Sequence, residues 1–134
     1  MEIVKGQEND IRLSVWDSVT ISDEGTVYFL FRFVPKTANL DTSYEKAFVV
    51  ADETVGLIDR YSQFLITESD TEDLPNAIVS LTPGEWICYV YAQLSSTNTN
   101  YLNAEENVKI EQCLVTGGTS IVLDTNTTTI IINE

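Results

Sequence analysis

The chain has 134 residues, enough to bury roughly two-thirds of its unfolded surface around one core and too few for a second. It carries 21 acidic and 7 basic side chains and no histidine, and the resulting formal charge of −14 repels nucleic acid and anionic lipid, which are bound mainly by charge neutralisation. Threonine, valine and isoleucine together number 41 and alanine 6, a balance that favours pleated strands over helices and predicts an all-β domain spanning 1–134.

No apolar run approaches the roughly 18 residues of a membrane span, and Met1-Glu2-Ile3-Val4-Lys5 lacks the basic-then-apolar order of a signal peptide. The chain therefore reads as soluble and unprocessed. Its first strands are expected at Glu2–Lys5, closed by Gly6, and at Asp10–Val15, where Ile11, Leu13 and Val15 alternate with Asp10, Arg12 and Ser14. The strongest strand is Thr26–Val34. Val27, Phe29, Phe31 and Phe33 line one face, Tyr28, Leu30, Arg32 and Val34 the other, and both faces look covered. Pro35 ends it, because proline cannot donate to a ladder.

Further strands are expected at Lys46–Ala51, Tyr61–Thr67 and Ala77–Leu81, with a helical turn possible within Asp52–Asp59. Thr82-Pro83-Gly84-Glu85 has the signature of a type II turn, which predicts a hairpin into Glu85–Leu94. In that arm Trp86, Cys88, Val90, Ala92 and Leu94 alternate with Ile87, Tyr89, Tyr91 and Gln93. Ser95–Asn107 is a long polar connection of the kind that is functional, contact-forming or mobile. Val108–Val115 returns as a strand, and Thr119–Leu123 with Thr128–Ile132 completes the pattern. The spacing predicts an antiparallel β-sandwich of about seven to nine strands, immunoglobulin-like in outline. Its core is expected to draw on Val27, Phe29, Phe31, Phe33, Trp86, Cys88, Val90, Ile110 and Leu114.

Chemistry is sparsely represented. Without histidine the commonest general base, the commonest transition-metal ligand and the middle member of a serine or cysteine triad are missing. Cys88 and Cys113 read as buried free thiols, with a disulfide or a redox role as the alternative, and without a C-x-x-C knuckle they do not read as zinc ligands. Gly117-Gly118 is followed by neither lysine nor a helix start, so no nucleotide loop is visible. Glu68-Ser69-Asp70-Thr71-Glu72-Asp73 lacks the glycine and ligand spacing of a calcium loop and reads as a solvated connection. No catalytic residue, cofactor or metal is expected, although a carboxylate pair of the glycosidase kind stays formally available. The aromatic residues Trp86, Tyr89, Tyr91, Tyr28 and Tyr61 fit packing and, as the alternative, a sugar-stacking face.

The stretch LTPGEWICYVYAQ from Leu81 to Gln93, followed by SSTN and later by VKIEQCLVTG, resembles a region of small virion proteins of tailed bacteriophages, most like those of crAss-like phages. Leu81, Pro83, Gly84, Trp86, Tyr91, Gln93, Ser95, Asn98, Leu114, Val115 and Gly117 carry the resemblance. Ala92 and Cys113 depart from it, standing where an acidic residue and a glycine are usual. KGQEND, VYFLFRF and RYSQFLI extend it over most of the chain. The resemblance implies a non-enzymatic, capsid-associated or tail-associated virion protein, in the first place an auxiliary or decoration capsid protein or head-fibre component, assembled in the host cytoplasm. Its expected partners are the major capsid protein, other virion proteins or further copies of itself, with neither nucleic acid nor membrane among them. The candidate contacts are Asn98, Asn100, Tyr101 and Leu102 in the long loop and Ile130, Ile131 and Ile132 in the tail. Tyr101 and Leu102 are apolar residues with no strand of their own to pack, and three consecutive isoleucines point apolar groups to both faces of a strand.

Overall fold

A computed structural model describes residues 1–36, 44–54, 61–117, 121–122 and 131–132. Ten strands are present among the described residues: β1 (Glu2–Val4), β2 (Glu8–Leu13), β3 (Tyr28–Pro35), β4 (Lys46–Val50), β5 (Ser62–Glu68), β6 (Ile78–Val79), β7 (Gly84–Gln93), β8 (Glu106–Thr116), β9 (Ile121–Val122) and β10 (Ile131–Ile132). Only single 3₁₀ turns supplement them among the described residues. The expected helical turn falls largely on 55–60, outside these residues.

Eight strands form two sheets, one of order β1-β8-β7-β3-β4 and one of order β2-β5-β6, while β9 and β10 pair separately as an antiparallel hairpin. The inner faces of the two sheets meet through aromatic side chains: Phe31 and Phe29 of β3 contact Phe64 of β5 at ring-centroid distances of 4.8 and 5.5 Å, both in edge-to-face geometry. Phe33 stacks on Phe48 of β4 at 5.7 Å. The fold is an all-β sandwich. In it β8-β7-β3-β4 of the large sheet are set against the β2-β5 pair of the small one. Trp86 donates its indole N–H to the Thr82 carbonyl at 2.9 Å, closing the corner into β7.

Three sequence expectations are corrected. The sandwich is not wholly antiparallel, because β1 pairs parallel with β8 and β6 parallel with β5. Alternation reports which face a residue occupies and is silent on strand direction. The Pro83-Gly84 turn does not make a hairpin: β6 belongs to the small sheet and β7 to the large one, so the turn is a corner between layers, with Gly84 at φ 128°. Finally, Ile110 and Leu114 are not core residues; they are 61% and 47% exposed. A bulge opposite Val90 and Tyr91 is the cause. Val90 pairs with Lys109 and Tyr91 with Asn107, so Val108 is an extra residue that points inward. Beyond it Cys113 and Val115 take the inward positions and Ile110 and Leu114 turn out.

One buried ion pair joins the layers. Glu68, at the end of β5, accepts Lys5 Nζ at 2.8 Å and the backbone N–H groups of Gly6 and Leu81 at 2.9 and 3.0 Å, and Lys5 also donates to the Leu81 carbonyl. Gly6, at φ 78°, supplies the backbone turn that aims its N–H at this carboxylate. The β1–β2 turn, the end of β5 and the corner before β7 thus converge on one side chain. Burial opposes ionisation of Glu68, but the hydrogen bonds from Lys5, Leu81 and Gly6 outweigh it and hold the carboxyl below the usual range. Cys88 and Cys113 are free and buried, on diagonal positions of β7 and β8. Burial raises the Cys88 thiol well above its ordinary value and Cys113 to about 11, so both are neutral and inert near pH 7.

Phe31 is fully buried between the sheets, and Phe31→Ala is expected to cost about 3 to 5 kcal/mol in urea denaturation. A folded-state pKa below the unfolded one means that the Glu68 contribution is complete above the ordinary glutamate value of about 4.3 and is lost as pH falls through the lower folded value. Melting curves taken from neutral to acid pH should therefore show Glu68→Gln destabilised at neutral pH and falling less steeply in acid than the wild type.

Candidate functional site

The connection between β7 and β8 is built from amides. Gln93, the last residue of β7, is fully buried; its Nε2 donates to the carbonyls of Ser95 and Asn98, each at 2.9 Å, and its Oε1 accepts Asn98 Nδ2 at 2.8 Å. Asn98 Nδ2 also donates to the Asn100 carbonyl, while Asn98 Oδ1 accepts the Asn100 N–H. Asn100 Oδ1 then accepts the Leu102 N–H and caps the 3₁₀ turn Tyr101–Asn103. The Ser95 hydroxyl oxygen accepts the N–H groups of Thr97 and Asn98, and Glu105 accepts the Leu94 N–H across the base of the loop. Backbone groups that no strand could satisfy are thereby paired within the loop itself.

The loop lies across the outer face of the large sheet. Ser96, Thr97 and Thr99 line, with Ala47, Phe48 and Val49 of β4 and with Leu74 and Pro75, a groove of about 440 Å³. Leu30, which points away from the intersheet core, is nonetheless fully buried, so both faces of β3 are covered as expected. Next to it Arg32 is enclosed by the Tyr101 ring, 4.0 Å from the guanidinium carbon, and by Tyr89 at 5.1 Å. Glu45 is its salt-bridge partner. Burial weakens the Arg32 charge, but Tyr91 and Glu45 outweigh it and raise the pKa further, so the guanidinium is permanently charged. Burial raises the Tyr91 hydroxyl despite that cation, leaving it neutral at physiological pH. Tyr91 in turn contacts Tyr101 at 5.7 Å and Tyr89 at 6.5 Å.

The candidate contacts are thus divided by their surroundings. Asn98 and Asn100 are committed to the loop's own hydrogen bonds. Tyr101 does have something to pack on: its ring covers Arg32 and Tyr91, which leaves it 37% exposed. Leu102, by contrast, is 73% exposed. Ile131 and Ile132 pair with Val122 and Ile121, and Ile130 lies outside the described residues. Arg32 and Glu45 were not singled out from the sequence, and Gln93 only as one of the residues that carry the resemblance. The available signal was Arg32 itself, a lone charge inside VYFLFRFV.

Elsewhere the acidic side chains have local tasks. Within the 68–73 run, Glu72 pairs with Lys46 and accepts the Ser80 N–H, and Asp73 accepts Asn76 Nδ2. Asp52 accepts the Trp16 indole N–H at 2.8 Å as well as Thr54. No group of three or more cysteine and carboxylate side chains among the described residues is placed to hold a metal ion. No family model, no curated protein and no solved structure matches the chain.

Removing the Tyr101 ring takes away one cation–π and one aromatic contact, so Tyr101→Ala is expected to cost about 1 to 3 kcal/mol. Leu102→Ala should change stability by less than about 0.5 kcal/mol. Urea denaturation of the two single variants checks the contrast.

Proposed function

We propose that this protein is a non-enzymatic structural component of a tailed-bacteriophage virion. In this reading it is an auxiliary or decoration capsid protein, or a head-fibre component, assembled in the host cytoplasm, and it binds the major capsid protein or another virion protein through the β7–β8 loop. The observation that carries the reading is the loop's construction. A network centred on Gln93 and Asn98 and a tyrosine–arginine stack hold its backbone, and at its tip Leu102 is turned to solvent. An apolar anchor on a pre-ordered loop loses little entropy when it docks.

The residues behind the phage resemblance have roles that agree with a scaffold of this kind. Leu81, Pro83, Gly84 and Trp86 build the corner into β7, and Gln93, Ser95 and Asn98 build the loop. The carbohydrate-binding alternative has weaker support, because a sugar platform needs an open ring face and the rings of Tyr91 and Tyr101 face each other and Arg32.

Mass spectrometry of purified particles tests the reading. The wild-type protein should be found in them, and Leu102→Asp should be depleted about tenfold or more while keeping its melting temperature. Absence of the wild type from particles overturns the proposal. Specific, tyrosine-dependent binding on a glycan array would replace it with the adhesion reading.

A further inference from the structure

The outer face of β8 presents a second surface, separate from the loop tip. Leu114 and Ile110 are the outward residues at its two ends, about 14 Å apart on a strand rising about 3.4 Å per residue. Between them Gln112 is opposite Ile87, and Ile110 is opposite the half-buried Tyr89. The charges of this face are placed asymmetrically. Leu114 is flanked on both sides, by Glu2 of β1 and by Glu85 of β7, which are its direct cross-strand neighbours. Lys36 approaches Glu85 only to 4.0 Å. The outer face of the small sheet is different: Glu8, Asp10 and Arg12 stand exposed on β2, with Asp10 bonded to Arg12 and to Gln63 of β5.

We infer that the Leu114–Ile110 stripe binds a basic protein segment, one that sets an apolar side chain against Leu114 and lysine or arginine against Glu2 and Glu85. A second copy of this chain does not suit the surface. Any such contact opposes two chains of charge −14, and one whose two-fold axis falls near Leu114 also sets Glu2 and Glu85 of one copy against those of the other. A cationic partner turns the same carboxylates into steering and register-setting contacts. This inference uses neither Leu102 nor the virion assignment, so either can fail without the other.

The test uses the full chain and two short synthetic probes, one alternating leucine with lysine and one alternating leucine with glutamate, in calorimetric titrations at low and at physiological salt. The lysine probe should bind and the glutamate probe should not. Leu114→Ser and Ile110→Ser, which leave the net charge at −14, should each weaken binding about tenfold, and Glu85→Gln should reduce its salt dependence. Unshifted melting curves for the serine variants establish that the fold is intact. The inference is overturned if the wild type binds neither probe, or if both serine variants bind the lysine probe as the wild type does, which would mark a general attraction to an acidic chain. It is also overturned if sedimentation shows a wild-type dimer that Ile110→Ser dissociates, since the occupant would then be a second copy.

Discussion

The bulge in the β7–β8 ladder governs what the large sheet shows to its surroundings. Side chains alternate across a strand with a period of two, so one extra residue exchanges the faces of everything beyond it. In β8 that residue is Val108, which stays inside, and the exchange then brings Cys113 and Val115 into the core. Without it, Gln112 would enter the core along with Ile110 and Leu114. The bulged register keeps that amide in water, and the two apolar side chains go outside with it. Fully burying a side chain of their size is worth about 1.5 to 3 kcal/mol, so their exposure is a considerable concession. The apolar stripe rimmed by Glu2 and Glu85 is a direct product of this register.

The same sheet carries a charge on its covered outer face. A guanidinium removed from water requires compensation, and Arg32 obtains it from Glu45, from Tyr89 and from Tyr101. Because Tyr101 comes from the β7–β8 loop, the compensation is also what seats the loop. Gln93 holds the loop's near end through its fully buried side chain. Anchored at both places, a segment that composition marks as a polar connection behaves as a fixed part of the surface, with Leu102 at its tip.

Glu68 performs the corresponding service between layers. Its single carboxylate collects donors from the β1–β2 turn and from the corner that precedes β7, and Lys5 neutralises it. In a chain with three times as many acids as bases, most carboxylates repel one another. The described ones that matter for the fold are those matched to specific donors, such as Glu68 with Lys5 and Glu72 with Lys46.

Sequence alone determined the class and most of the inner face. The alternation in β2, β3 and β7 identified Ile11, Leu13, Phe29, Phe31, Phe33, Trp86, Cys88 and Val90 as inward residues, because burial on one side of a pleated strand imposes a period of two. The prominence of the Ser95–Asn107 segment was also legible from its length and polarity. Tertiary structure decided the remainder. A bulge adds a residue to one strand only relative to its partner, so nothing local to Val108–Val115 announces that Ile110 and Leu114 turn outward. Strand direction and the role of Pro83-Gly84 as a corner depend on which sheet receives the next strand, a choice made by long-range contacts such as Glu68 with Leu81. The seating of Tyr101 on Arg32 joins residues far apart in the chain, and only the folded sheet brings that charge and that ring together.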